Sequence, residues 1–499
     1  MLFNSLEFLL FFPLVLMIYY LIPIRYRYLW LLFASYFFYM CWNVRYILLL
    51  MTSTVVTFIS GLLIEKVKQS EEDDAKKNKS KKMIVFFCAF INLTILFYFK
   101  YANFAIDMLT HIFGLLNIQL NIPSVDVLLP VGISFYTFQA LSYTVDVYRD
   151  EIKAEKNIFR YALFVSFFPQ LVAGPIERSK NLLRQLEDPK PFNYEKARDG
   201  FLLMLWGYFV KMAVADRISI FVNVVYGDPK TYPGFLLVMA TVLFAMQIYC
   251  DFYGYSTIAV GAAKFLGVDL MENFNAPYLS FSIAEFWRKW HISLTSWFRD
   301  YLYIPLGGNR KGKLRKHLNI MIVFLVSGLW HGADLTYVIW GALNGFYQVI
   351  GDLLRPVRNK LIEVMHVNRD SYLHKGLQLL VTFTLVCFSW IFFRAENLNK
   401  AIEVISSIFS VHNFIDVLKN RSFYYCELDF YNFWFMFLAI FIVLFVDVCK
   451  NKNIVIRNHI IAQKDLIRWL IIALSICAIL LFGVWGPAFD QSQFIYFQF

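Results

Sequence analysis

Apolar residues along this 499-residue chain gather in long, nearly unbroken runs, without the two-residue alternation of half-buried strands. Such runs fall at 6–23, 27–43, 46–64, 84–99, 127–147, 234–250, 376–393, 431–448 and 466–486. Each approaches or exceeds the ~20 residues that an α-helix needs to cross a hydrocarbon core about 30 Å thick. The pattern predicts an all-α, polytopic transmembrane helical bundle of roughly ten or more helices, some of them not spanning fully. No separate soluble domain is expected at either end, and residues 1–499 read as a single integral membrane domain.

Two segments break the spanning pattern. In "FFPQLVAGPIERSKNLLRQL" (167–186), Pro169, Gly174 and Pro175 interrupt an apolar run just before charges appear. Irregular backbone at membrane depth is tolerated only inside protein or beside a water-filled cavity. A re-entrant, cavity-lining segment and an ordinary interhelical loop both fit. The second segment is "FSIAEFWRKWHISLTSWFRDYLYIPLGGNR" (281–310). A helical period places Trp287, Trp290, His291, Leu294, Trp297, Phe298 and Tyr301 on one face, with Arg288, Ser296 and Arg299 opposite. One amphipathic helix is expected there, at the interface or along a polar cavity wall, stopped by Pro305 and the Gly307–Gly308 pair. The mixed stretch 394–430 is expected to hold an amphipathic surface helix.

A third stretch, "VFLVSGLWHGADLTYVIWGALNGF" (323–346), puts His331 inside otherwise bilayer-like sequence. An ionisable side chain there is costly and by default functional. A helix rising from the basic loop near His317 climbs about 20 Å in thirteen residues at 1.5 Å each. That leaves it short of the far surface of a core about 30 Å thick. Gly332 then permits a turn and Asp334 can cap a returning helix. The expectation is a hairpin whose tip carries His331 within the membrane, lining a cavity or covered by protein.

Composition agrees with the membrane reading. The chain is 59% hydrophobic and 17% charged, whereas soluble domains carry roughly a quarter charged residues. A net charge of +11 raises the question of nucleic acid, but the cations concentrate in 66–82, 310–316, Arg355 to Lys375 and Lys450 to Arg468. Placing all four stretches in the cytoplasm satisfies the positive-inside rule and puts both termini outside. The bilayer, not nucleic acid, is the expected partner. The opening "MLFNSLEFLLFF" lacks a basic n-region and a small-residue cleavage site, so a retained first helix is expected. Seven scattered cysteines show no metal-ligand spacing or disulfide framework, so no metal is expected.

Of eight histidines, six fall in charged or loosely patterned stretches. His291, on the aromatic face, and His331, in the hairpin, occupy demanding places. A buried histidine merely bonded to a neighbouring helix is the ordinary alternative for each. A neutral imidazole suits removal of a proton from a hydroxyl as its oxygen attacks an activated carbonyl. No G-x-S-x-G serine motif precedes His331 and no cysteine adjoins it, so direct transfer between two substrates is the natural chemistry.

At these residues the chain resembles the membrane-bound O-acyltransferase family, in the branch of the alginate O-acetylase membrane subunit and related bacterial polysaccharide O-acetyltransferases. The resemblance is carried by "FWRKWHISLTSWFRDYLYIPLGGNR" (286–310) and "LVSGLWHGADLTYVIWGALNG" (325–345). "LLPVGISFYTFQALSYTVDVYR" (128–149), "LVAGPIER" (171–178) and "YCDFYGYSTIAVGAAKFLG" (249–267) extend it over nearly the whole chain. It implies a ring of helices around a central tunnel that joins a cytoplasmic donor side to an outer acceptor funnel. The family's invariant histidine falls on His331 and its second signature position on His291. The implied reaction moves an acyl group, commonly acetyl, onto an extracytoplasmic polysaccharide. The donor is acetyl-CoA or a carrier-protein acyl thioester, which brings in a cytoplasmic acyl-carrier protein. The resemblance also implies a partner acetyltransferase outside the cell and a place in the bacterial inner membrane. The tail "FIYFQF" (494–499) resembles an aromatic motif of this branch in which a tyrosine serves as an acyl way-station, pointing to Tyr496. Anchoring of that tail at the outer interface is the alternative. Asp251, Asn273, Arg288, Arg299, Asp300 and Trp330 lie in or beside matching stretches, as tunnel-lining or as packing residues.

Other classes leave weaker traces. A glycan transporter would share the helix count, but neither an inverted repeat nor paired broken helices are evident. D-alanyl transfer to a cell-wall polymer is the nearest alternative chemistry. A membrane glycosyltransferase would need an acidic motif, for which "ELD" (427–429) is the one faint candidate.

Overall fold

The computed structural model describes residues 1–126, 128–410, 419 and 426–484; Tyr496 and the rest of "FIYFQF" lie outside the described residues. Every regular element among the described residues is helical. Among the described residues, six helices are long and apolar enough to cross a membrane: Val44–Lys68, Asp74–Leu115, Gly234–Phe265, Tyr372–Arg394, Phe430–Asn451 and Asp465–Phe482. The protein is an all-α, polytopic integral membrane protein. The chain forms two compact units, one of Met1–Met204 with Ile258–Met271, the other of Leu205–Thr257 with everything from Glu272 onward.

The first unit is built from α1 (Leu6–Leu21), α2 (Arg27–Met40), α3 (Ile47–Lys68), α4 (Asp74–Leu96), α5 (Ala102–Leu115), α6 (Ile133–Tyr148), α7 (Ile158–Ser166), α8 (Phe168–Leu171) and α9 (Ser179–Glu187), followed by α10 (Tyr194–Tyr208). Small and hydroxylated residues let its helices approach. A Cβ on Gly61 of α3 would come within 2.6 Å of the Tyr143 hydroxyl on α6. Ser53 donates to Asn92 at 2.6 Å, and Tyr161 to Thr57 at 2.7 Å, so buried polar groups are satisfied across helices. The apolar run 127–147 becomes a helix only from Ile133. Gly132 stands before it at φ +75, and a Cβ there would lie 2.7 Å from the Leu171 carbonyl oxygen. The interrupted stretch 167–177 is buried throughout. Its carboxylate Glu177 accepts the Met271 amide and the Asn181 side chain, while Ser179 donates to Asp146. Irregular backbone is therefore enclosed by protein, as its lost hydrogen bonds require.

The second unit holds α11 (Asp216–Gly227), most of α12 (Gly234–Phe265), α13 (Ile283–Lys289), α14 (Ile292–Phe298), α15 (Lys313–His331), α16 (Leu335–Leu353), α17 (Arg355–Val364), α18 (Tyr372–Arg394) and α19 (Leu398–Ser410), besides the helices over 430–451 and 465–482. The α15–α16 pair is the expected hairpin. Its arms touch backbone to backbone. A Cβ on Gly328 would stand 2.3 Å from the Tyr337 carbonyl oxygen, and one on Gly341 2.3 Å from that of Phe324. Lys316 and His317 at the open end of α15 both meet Asp352 of α16, at 2.7 and 3.0 Å. These hydrogen bonds hold the Asp352 carboxyl below the usual carboxylate range. The amphipathic helix expected within 394–430 is α19, which buries Ala401 and Val404 and exposes Ile402.

Candidate active site

At the hairpin tip, α15 ends on His331 and α16 begins after Asp334, whose carboxylate accepts the Thr336 amide at 2.8 Å. Gly332 is required by crowding, not by dihedral. Its φ of −159 is ordinary extended backbone, but a Cβ would fall 2.1 Å from the Tyr337 ring. His331 is 4% exposed. Three aromatic rings surround it edge-on: Trp330 at 4.9 Å, Trp340 at 5.0 Å and Phe393 at 5.3 Å between centroids. Trp390 of α18 stacks on Trp340 at 5.7 Å, adding a second row behind the cage. Rings of that size restrict an imidazole's position by packing.

His291 is held differently. The single amphipathic helix expected over 281–310 is interrupted at Trp290 and His291, so the shared face inferred from an uninterrupted period does not form. Trp290 is extended and His291 sits in the left-handed region at φ +41, ψ +56. The cause lies in a preceding loop. Lys289 gives its carbonyl to the Asn275 amide at 3.0 Å, and Ile292 gives its amide to the Asn273 carbonyl at 2.9 Å. The backbone pairs sideways with 273–275 where a helix would have paired it with itself. The helix restarts as α14 and passes into a π-helical turn, Arg299–Tyr303, before Gly307 (φ +107) and Gly308 (φ +56) end it. His291 is 1% exposed, with Phe252 edge-on at 4.6 Å.

The two histidines meet on one ring. Trp330 lies 6.1 Å from His291 and 4.9 Å from His331, so the sequence-nominated Trp330 contacts both. A longer aromatic path runs from Trp290 through Trp390 (5.1 Å) to Trp340. The other nominated residues spread out. Asp251 shares Lys211 with Asp216 in a buried trio, Lys211 Nζ standing 2.5 Å from Asp251 and 2.7 Å from Asp216. Asn273 is buried and engaged with Ser256 and Ser293. Arg288 is exposed, and Arg299 is exposed and paired with Asp300 at 2.8 Å. Sequence reading passed over Trp340, Trp390 and Asn344. Asn344 is buried, accepts the Trp287 indole N–H at 3.2 Å and donates to the Trp340 carbonyl. A lone asparagine one turn after a tryptophan in an apolar helix was the available signal.

A cavity of about 950 Å³ runs along the hairpin in the same unit. At one end it is lined by Lys316, Asp352, Arg355 and Arg358; at the other by Trp287, Phe324 and Ser327. Ser327 precedes His331 by four residues, one helical turn or about 6 Å along α15. Arg299 also lines this cavity. Among the described residues no group of three or more histidines, cysteines or carboxylates is arranged to hold a metal ion.

The two buried imidazoles lie in the same unit as this amphiphilic cavity, and sequence comparison gives the family. Residues 28–393 match the model of the membrane-bound O-acyltransferase family, and the chain belongs to it. It is an acyltransferase. The chain is 39% identical over 413 residues to a probable alginate O-acetylase of Pseudomonas aeruginosa, covering 82% of this chain and 75% of that protein. It is 33% identical over 407 residues to a peptidoglycan O-acetyltransferase of Helicobacter pylori, with 76% and 73% covered. A teichoic acid D-alanyltransferase of Bacillus subtilis matches at 26% over 279 residues, with 53% and 69% covered.

Proposed function

We propose that this protein O-acetylates an extracytoplasmic polysaccharide, with His331 as general base. The observation that carries the reading is the placement of His331 at the hairpin tip, one turn beyond a cavity whose far end is basic. A thioester donor, acetyl-CoA or an acyl-carrier protein, enters from that cytoplasmic end with its phosphate among Lys316, Arg355 and Arg358 and its acyl end toward Ser327. The acceptor oxygen then attacks the thioester carbonyl while His331 takes the hydroxyl proton. The carbon–sulfur bond breaks, and the proton passes to the departing thiolate. His291, across Trp330, serves the same centre. The first acceptor in this scheme is Tyr496, from which acetyl passes to the glycan, with an extracytoplasmic acetyltransferase as partner. The protein lies in the bacterial inner membrane with both termini outside.

The likeness to acetylases of two polysaccharides supports acetyl over D-alanyl, since the D-alanyltransferase match is weaker and covers less of the chain. The test is the ester chemistry of the surface glycans in cells with and without the gene. Base-labile acetate that disappears on deletion and returns with the gene is the expected result. Loss of ester-linked alanine with acetate unchanged would assign the alternative.

A further inference from the structure

We propose that Asn273 is a positioning residue for His291, acting through its grip on the backbone at the α13–α14 break. This rests on the role given to His291 above. Asn273 is 2% exposed, and its backbone carbonyl and both side-chain polar groups are engaged around the break. Its backbone carbonyl accepts the Ile292 amide at 2.9 Å, and its side-chain oxygen accepts the Ser293 amide at 3.4 Å. Its side-chain amide donates to Ser256 Oγ on α12 at 3.1 Å, one turn beyond Phe252, whose ring packs on His291. Ser293 Oγ in turn lies 3.5 Å from His291 Nδ1.

The arrangement answers a specific need. A non-glycine residue in the left-handed region is strained and persists only where its surroundings over-determine it. The first amides of α14 also lack intrahelical partners. His291 supplies no capping bond of its own from its side chain. Asn273 satisfies two of those amides from outside, Ile292 and Ser293, and so holds His291 in its turned conformation, with its ring between Phe252 and Trp330. The Ser256 bond ties this grip to α12, so the loop, the helix and the imidazole move together. Truncating the Asn273 side chain leaves the buried Ser293 amide short of a partner and cuts the tie to Ser256. That loosens the backbone grip that remains at Ile292 and frees the break to regularise toward helix, rotating His291 away from Trp330.

The test is a double-mutant cycle in cells where this chain is the sole copy, following radiolabelled acetate into alkali-released glycan ester at matched membrane levels. Asn273→Ala is expected to lower the rate about 10- to 100-fold, the scale of a misplaced catalytic group. In a His291→Ala background the same substitution is expected to change the rate by less than about twofold, because coupled residues are not additive. Asn273→Asp keeps an acceptor for the Ser293 amide and is expected to recover most of the rate. Should Asn273→Ala fail to accumulate, Ser256→Ala removes the anchor alone and runs through the same cycle. Losses that multiply with His291→Ala, or an Asn273→Ala rate equal to wild type, overturn the inference. A His291→Ala rate equal to wild type overturns instead the role proposed for His291.

Discussion

The two buried histidines are held by opposite means. His331 ends a regular helix and is fixed by rings: Trp330, Trp340 and Phe393 close on it, and Gly332 leaves room for Tyr337 beside it. His291 interrupts a helix and is fixed by hydrogen bonds from a loop, with its backbone in a conformation that most residues avoid. Packing tolerates small adjustments, whereas a strained turn depends on each of a few bonds. A site assembled from both has one robust imidazole and one conditional one.

The largest effects should separate the two by chemistry. His331→Ala is expected to lower acetyl transfer by about 10²–10⁴-fold, the range for loss of a positioned general base. His291→Ala is expected to lose less, and equal losses measured as labelled acetate in glycan ester would erase the distinction. Next comes the crowding at the tip. Gly332→Ala drives a methyl into the Tyr337 ring and is expected to cost about 1–3 kcal/mol, read as a lowered melting temperature of the detergent-purified protein. The bonded side should respond to a single atom pair. Asn344→Leu strands the Trp287 indole N–H and is expected to cost about 1–3 kcal/mol in the same measurement. The smallest effect belongs to the exposed residues. Arg288→Ala and Arg299→Ala are expected to move the melting temperature by no more than about 0.5 kcal/mol of stability. A large drop at Arg299 would mean that its pair with Asp300 holds the cavity wall.

Much of this was legible because membrane sequence is written in long words. The apolar runs at 46–64, 376–393 and 431–448 became long helices, and the run opening at 466 did so as far as Phe482, since a backbone in lipid has few other ways to satisfy its own polar groups. The hairpin was legible from Gly332 and Asp334, although the glycine serves close approach and not a left-handed turn. The break at His291 was not legible. Local periodicity across 281–310 favours one helix, and the bonds that override it come from Asn273 and Asn275, sixteen or more residues earlier. The pairing of His291 with His331 through Trp330 was likewise invisible to spacing, because it joins separate helices. Asp251 was nominated without its partner, since Lys211 lies forty residues away on a π-helical turn. Burying that trio makes Lys211 costly to remove, by about 3–5 kcal/mol where one member of a buried pair is lost.

The central claim is that His331 removes the acceptor's proton. It is tested most directly by His331→Ala in cells whose only copy of this chain carries the substitution, with the protein's membrane level and melting temperature matched to wild type. Alkali-released acetate from the surface glycan is then measured. Acetate at the level of the gene deletion is expected while the protein remains folded and inserted. Acetate at the wild-type level from that protein would contradict it.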